Sequence, residues 1–120
     1  MSRDYRKLRT FHYADELVIE MYKATRNFPR EEMFGLTSQM RRAAVSIPAN
    51  IVEGSFRKSE PEYLNFLNIA LGSAGEVGYY ITLAERLGYL NKTDTQQLSA
   101  KHATCAKSLQ ALITYLRSQK

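Results

Sequence analysis

Residues 41–57 read RRAAVSIPANIVEGSFR, and this stretch decides the fold of the chain. Together with the residues just before it, the stretch carries an apolar stripe made of Leu36, Met40, Ala43, Ala44, Ile47 and Ile51. A polar stripe runs along the opposite side and is made of Arg42, Ser46, Asn50, Glu53 and Arg57. Both stripes recur every three or four residues, which fits a helix and not a strand. The stretch is therefore predicted to be an amphipathic helix.

Pro48 lies in the middle of this predicted helix. A proline inside a helix removes one backbone hydrogen bond and clashes with the carbonyl four residues earlier, here that of Ala44, at a cost of roughly 3 kcal/mol. Either the helix bends at Pro48, or Ser46 caps a fresh helix. Because the two stripes keep their phase across Pro48, we expect a kink.

Two helices are predicted in the first half of the chain. The first runs from about Phe11 to Asn27 and is stopped by Pro29, after which Gly35 permits a turn. The second, which contains the stretch above, begins near Thr37.

Two further helices are predicted in the second half. Ser59 and Glu62 form a capping box that opens the third helix, and Gly88 is placed to end it. Thr93 and Gln96 form a second capping box, so the fourth helix is expected to start near Thr93. The connections are short, which favours antiparallel neighbours. The predicted fold is an all-α, up-down-up-down antiparallel four-helix bundle that occupies residues 1–120 as one domain.

Small residues are concentrated in the third helix. Because an interior glycine costs a helix up to about 1 kcal/mol, such a run predicts the close approach of another helix. The run comprises Gly72, Ser73, Ala74, Gly75 and Gly78. Tyr79 and Tyr80 follow it, and we expect an oligomer contact there in preference to a platform for a nucleobase.

The chain is basic, with a formal net charge of +5 over 120 residues, and its positive charge is clustered. Residues 1–9 and 36–58 each carry four positive charges against one negative, and residues 91–120 carry five against one. Such patches either attract an anionic partner such as RNA or DNA, or are simply a solvated surface. No apolar run approaches the length of a membrane span, no signal peptide is evident, and the single cysteine suits a reducing compartment, so a cytoplasmic protein is expected.

Residues typical of catalysis or metal binding are scarce. His12 and His102 are far apart in sequence, and Cys105 lacks the further ligands that a metal ion needs, so Cys105 is expected to be an inert core residue beside an exposed His102. No phosphate-binding loop or nucleophile motif is present. We therefore predict neither an enzyme, nor a metal, nor a cofactor, nor a small-molecule substrate.

Residues 28–54, FPREEMFGLTSQMRRAAVSIPANIVEG, and residues 66–76, FLNIALGSAGE, carry a family resemblance. They resemble the signature of the four-helix bundle proteins encoded in intervening sequences of bacterial 23S ribosomal RNA genes. Val52 departs from the alanine common there, and Gly75 and Gly78 make the third helix unusually rich in glycine. The resemblance implies a homopentamer and a relation to the accessory variability proteins of diversity-generating retroelements, which bind nucleic acid through basic surface.

Two functions are therefore expected. The first is an oligomer that binds RNA or DNA through Arg41, Arg42, Arg57 and Lys58, with the basic N-terminal stretch, Lys101 and Lys107 in support. The second is a protein-interaction scaffold in which the positive charge is incidental.

The remaining signature residues are interpreted as structural, and they are Ser46, Pro48, Asn50, Glu53 and Gly54. Glu53 lies four residues before Arg57, the favourable order for a helical ion pair. Asn50 and Glu53 either hold the helix at Pro48 or bond across a subunit boundary.

Overall fold

Four α-helices make up most of residues 3–119, the part of the chain that the computed structural model describes. Short 3₁₀ turns at Tyr5–Lys7 and Arg30–Glu32 precede the first and second helices. The helices are α1 (Arg9–Thr25), α2 (Leu36–Ser55), α3 (Glu60–Arg86) and α4 (Lys92–Ser118).

Each helix packs against two neighbours, so that α1 contacts α2 and α4, and α3 contacts the same two helices. The bundle is 46 Å long and 24 Å by 20 Å across. A helix of the length of α3 or α4 spans about 40 Å, so these two helices run nearly the full length of the bundle. The all-α up-down-up-down architecture is confirmed.

The core is built from apolar stripes on all four helices, and that of α2 is the stripe predicted from the sequence. In α4, Ile113 is fully buried, whereas Leu112 and Leu116 are only half-buried. The largest side chains that are buried completely include Leu17, Met21, Met40, Ile47, Ile51, Leu67, Val77, Leu98, Leu109 and Ile113.

Both limits of α3 follow the sequence prediction. The Ser59 side chain accepts a hydrogen bond from the backbone N–H of Glu62, and Gly88, just past the helix, has a φ of 80°. The capping box predicted at Thr93 and Gln96 is wrong. Asn91 caps α4 by accepting a hydrogen bond of 2.7 Å from the Asp94 N–H, because asparagine is itself a strong N-cap residue and comes two positions earlier.

Helix α2 passes through Pro48 without interruption, so a fresh start capped by Ser46 is wrong. The kink at Pro48 stays a prediction.

The small residues of α3 divide into two groups. Ser73 and Ala74 are buried, and a Cβ added at Gly78 would lie 2.9 Å from the ring of His102 on α4, as expected for close helix packing. Gly72 and Gly75 instead face open space. For these two the predicted approach of another helix is wrong within the chain, because they lie on the outer side of α3. Within residues 3–119 no helix is both long and apolar enough to cross a membrane.

Candidate nucleic-acid interface

The four basic residues proposed from the sequence do not share one surface. Arg41 and Arg42 lie in the second turn of α2, whereas Arg57 and Lys58 follow its last residue. At a rise of 1.5 Å per residue the two pairs are about 24 Å apart along the helix axis.

Arg41 connects α2 to the end of α1. Its side chain is half-buried, its Nε donates a hydrogen bond of 2.8 Å to the Thr25 hydroxyl, and its guanidinium lies 4.6 Å from the centre of the Tyr22 ring. These contacts give Arg41 a structural role between the two helices.

Arg42 is exposed and lines a hollow of about 260 Å³ between α2 and α3, together with Glu76 and Tyr80. It makes no ion pair within residues 3–119. A cation at the rim of a shallow hollow is available to an external anion, although Glu76 lies in the same hollow.

Ser46 and Asn50 hold the contact between α2 and α3. The hydroxyls of Ser46 and Ser73 lie 2.8 Å apart, and the Asn50 amide donates to the Ser46 carbonyl at 2.8 Å and to its hydroxyl at 3.0 Å. The carbonyl that Pro48 deprives of its donor is that of Ala44, so Asn50 does not replace the missing bond. The network instead satisfies polar groups where the two helices meet.

Gly54 and Glu53 complete this contact. A Cβ at Gly54 would lie 2.9 Å from the Phe66 Cβ and 3.0 Å from the Tyr63 ring, so only glycine lets α3 approach here. Glu53 pairs with Arg57, as predicted, with 2.5 Å between Oε2 and Nη2. The Arg57 guanidinium also lies 4.8 Å from the centre of the Phe66 ring.

Arg3 fastens the N-terminal segment to the connection between α2 and α3. Its Nη1 donates a hydrogen bond of 3.0 Å to the Arg57 carbonyl, and its Nη2 lies 3.3 Å from Glu60 Oε1. The guanidinium also lies 4.4 Å from the centre of the buried Tyr63 ring. The basic N-terminal stretch and the Arg57–Lys58 pair are therefore brought to one end of the bundle.

We call this region, residues 3–9, 53–62 and 115–119, the basic end. It contains seven arginines and lysines and four carboxylates. Three of the carboxylates form ion pairs: Asp4 with Arg6, Glu53 with Arg57 and Glu60 with Arg3. The hydrogen bonds from Arg6 also lower the pKa of Asp4. Within the described residues, Lys7, Arg9 and Lys58 are exposed and make no ion pair, so their charge is uncompensated by a direct partner.

A cleft of about 500 Å³ opens at the basic end between the N-terminal turn, α3 and α4. Arg3 and Lys7 lie along it, and so do the rings of Tyr5, Tyr63 and Tyr115. Tyr115 is 60% exposed. Beside the cleft, Phe56 is 75% exposed and its ring meets that of Tyr5 edge-on at 6.4 Å.

The secondary candidates behave differently from one another. Lys101 pairs with Glu16 at 3.0 Å, and this hydrogen bond raises the pKa of Lys101. Lys107 is exposed, and Lys120, one of the charges counted in the sequence, lies outside the described residues.

His102 and Cys105, both on α4, take part in the packing of the bundle. The prediction that His102 is exposed is wrong. The side chain is half-buried, because its Nε2 lies 2.8 Å from the Ala74 carbonyl of α3. Cys105 is buried as expected, and desolvation raises the pKa of its thiol to about 11, so the thiol stays protonated. Among residues 3–119 no group of three or more potential metal ligands comes together.

The sequence did not reveal the aromatic part of this region. Tyr5, Phe56 and Tyr115 are separated by long stretches of chain, and no spacing rule connects them. Only the meeting of the N-terminal turn with the ends of α2 and α4 places them together.

The fold and this region define an all-α bundle with one basic, aromatic-lined end. Residues 6–111 match the model of the 23S rRNA-intervening sequence protein family, and the chain belongs to that family. The comparison with curated proteins gave no match.

A solved structure supports the family and the fold. It is a protein of unknown function from the S23 ribosomal protein family of Bacteroides thetaiotaomicron VPI-5482, 27% identical to this chain with a TM-score of 0.77. The match covers 87% of this chain and 97% of the other.

Proposed function

We propose that this protein is a non-enzymatic, cytoplasmic homo-oligomer that binds RNA or DNA through its basic end. The observation that carries the proposal is the presence there of Lys7, Arg9 and Lys58, exposed cations without an ion-pair partner among residues 3–119. Nucleic-acid phosphates attract such cations independently of base sequence, and the released counterions drive binding.

This proposal changes the relative importance of the basic residues. Arg41 is engaged with Thr25 and Tyr22, and Arg57 with Glu53 and Phe66. Lys58 becomes the principal residue of the original four, and Arg42 a peripheral contact.

The proposed oligomer, a pentamer as the family resemblance implies, uses the outer side of α3. Gly72 and Gly75 face open space there, between the exposed Ile69 and Tyr79. Two glycines cost the helix stability, and a side chain at either position would meet nothing in the described part of the chain, which is the expected pattern if a neighbouring subunit approaches them closely. A ring would repeat the basic end in each subunit and raise the avidity for a long polyanion.

Charge reversal tests the binding proposal. Lys7→Glu with Lys58→Glu is expected to weaken RNA binding at least tenfold at physiological salt and to make the salt dependence shallower. Arg30→Glu with Lys92→Glu is the matched control, because it makes the same change in net charge with exposed residues outside the basic end. Equal losses in both variants, or binding by the unchanged protein that is insensitive to salt, would contradict the proposal.

Solution mass tests the oligomer. Gly72→Gln with Gly75→Gln is expected to shift the mass toward that of the 13.8 kDa subunit, whereas Ala103→Gln, on the exposed surface of α4, leaves it unchanged. An absorbance spectrum recorded on the same chromatographic peak also reveals copurified nucleic acid. An unchanged mass in the double variant would contradict the proposed interface.

A protein-interaction scaffold is the second candidate, and it is favoured by the other end of the bundle. Phe34 is 95% exposed there, and Met33 and Leu87 are each at least half exposed. A protein free of nucleic acid whose partner protein is lost on Phe34→Ser, and retained on Lys58→Glu, would support the scaffold against nucleic-acid binding.

A further inference from the structure

We propose that the cleft at the basic end holds one unpaired nucleotide of a single-stranded nucleic acid, an inference that rests on the proposed function. The cleft volume of about 500 Å³ lies in the range of small-molecule sites, and its walls come from three separate parts of the chain. The proposed function requires only phosphate contacts, whereas this inference adds a place for the base.

The inner wall of the cleft is apolar. Leu112 and Leu116 line the cleft and are only half-buried although they belong to the apolar side of α4. Leu8, which follows the N-terminal turn, is also half-buried and lines the same cleft. A flat nucleobase offers two apolar faces that suit such a slot.

Tyr115 supplies a platform on which a base can stack. It lines the cleft, its side chain is 60% exposed, and its hydroxyl makes no side-chain hydrogen bond to the described residues. Tyr63 is less suited to this role, since it is buried and one guanidinium, that of Arg3, already lies over its ring. Stacking on aromatic side chains is the usual way in which proteins hold unpaired bases.

The charges along the cleft favour an anionic ligand. Its two carboxylates are engaged, Asp4 by Arg6 and Glu60 by Arg3. Lys7 has no such partner among the described residues and is exposed, so its ammonium group is available to a phosphate. An apolar slot beside an exposed cation matches a base linked to its phosphate.

A nucleotide within a duplex cannot enter this cleft without leaving its stack, because its faces are covered and its edge is paired. The cleft therefore predicts a preference for single strands. Phosphate contacts alone would give no such preference.

The test is fluorescence anisotropy of labelled oligouridine, oligothymidine and an RNA duplex of equal length. Tyr115→Leu is expected to weaken single-strand binding about tenfold and to leave duplex binding unchanged, whereas Tyr115→Trp retains both. Phe34→Leu, which alters an exposed aromatic residue at the other end, is the matched control and should change neither. Losses for both single strands support the cleft, whereas a loss for only one of them contradicts stacking on Tyr115, because both offer a base of the same kind.

The remaining outcomes separate this inference from the proposed function. If Lys7→Glu with Lys58→Glu weakens all probes and Tyr115→Leu changes none, the cleft proposal is overturned and the basic end stands. Equal losses of single-strand and duplex binding in Tyr115→Leu also overturn the cleft. If the unchanged protein binds no probe at low salt, both proposals fall together.

Discussion

The two ends of the bundle are closed by side chains of opposite charge. At the basic end, the Arg3 guanidinium reaches the Arg57 carbonyl and Glu60. At the other end, which we call the neutral end (residues 20–35 and 85–94), the Glu32 carboxylate accepts hydrogen bonds from the Leu36 N–H at 3.0 Å and the Tyr89 hydroxyl at 2.8 Å.

The wider charge balance follows the same division. The basic end has three more cations than carboxylates, whereas the neutral end has five of each. The same four helices thus present a surface suited to an anion at one end only. The ends also differ in how closely other groups approach the glycines near the ends of α2. This difference, and the contacts of Arg3 and Glu32, give the predictions below.

The largest effect is expected at the two glycines near the ends of α2. Gly54→Ala should lower the free energy of unfolding by about 2 kcal/mol, because its new Cβ would press against the Phe66 Cβ and the Tyr63 ring. Gly35→Ala should cost less, since the group in its way is the end of the flexible Glu32 side chain. Urea unfolding of both variants measures the difference, and a larger loss at Gly35 would reverse this assignment.

Removing the Arg3 contacts at the basic end is expected to have a smaller effect on the free energy of unfolding. Arg3→Met retains an apolar stem but loses the guanidinium over the Tyr63 ring, the hydrogen bond to the Arg57 carbonyl and the partly exposed pair with Glu60. We expect a decrease of about 1 kcal/mol in unfolding free energy. Faster amide exchange confined to the N-terminal turn would accompany it. Arg6→Met is the control, because the Arg6 side chain is exposed and its hydrogen bonds are to Asp4 of the same turn.

Removing the hydrogen bond from Tyr89 to Glu32 at the neutral end is expected to have the smallest effect on stability. It should, however, change the pKa of Glu32. The backbone bond from Leu36, and secondarily the bond from Tyr89, lower the pKa of Glu32 below its usual 4.5. The same bond to Glu32 raises the pKa of Tyr89 above 10.0. In Tyr89→Phe the pKa of Glu32 should rise part of the way toward 4.5, as measured by carboxyl-carbon NMR. An unchanged pKa of Glu32 would mean that Tyr89 contributes nothing.

The pH dependence of the contribution of Glu32 and Tyr89 to stability follows from the directions of their two pKa shifts. Because the folded pKa of Glu32 is lowered, its contribution to stability is present above pH 4.5 and is lost as the pH falls through the lowered value. Because the folded pKa of Tyr89 is raised, its contribution is present below pH 10.0 and is lost as the pH rises through the raised value.

The sequence was sufficient for the fold. The two stripes of residues 41–57 indicated a helix, and Ser59 and Gly88 marked both limits of α3. Asn91 was missed because two candidate caps lie within three residues of each other, and only the extended backbone at Asn91 decides between them.

The sequence was less informative about the candidate site. It grouped Arg41, Arg42, Arg57 and Lys58 because they share one basic segment, but a helix separates them along its axis. Helical spacing also cannot show that Leu112 and Leu116 line a cleft and stay half-buried. Such features depend on contacts between distant segments.

Cys105 has a practical consequence for experiments on this protein. It is the single cysteine of the chain, it is fully buried, and its pKa of about 11 keeps it protonated. A maleimide reagent can therefore reach it only when the core opens, so the labelling rate reports the population of the open state. The native sequence thus provides its own conformational probe, and the stability of each variant above can be ranked by mass spectrometry without introducing a label site.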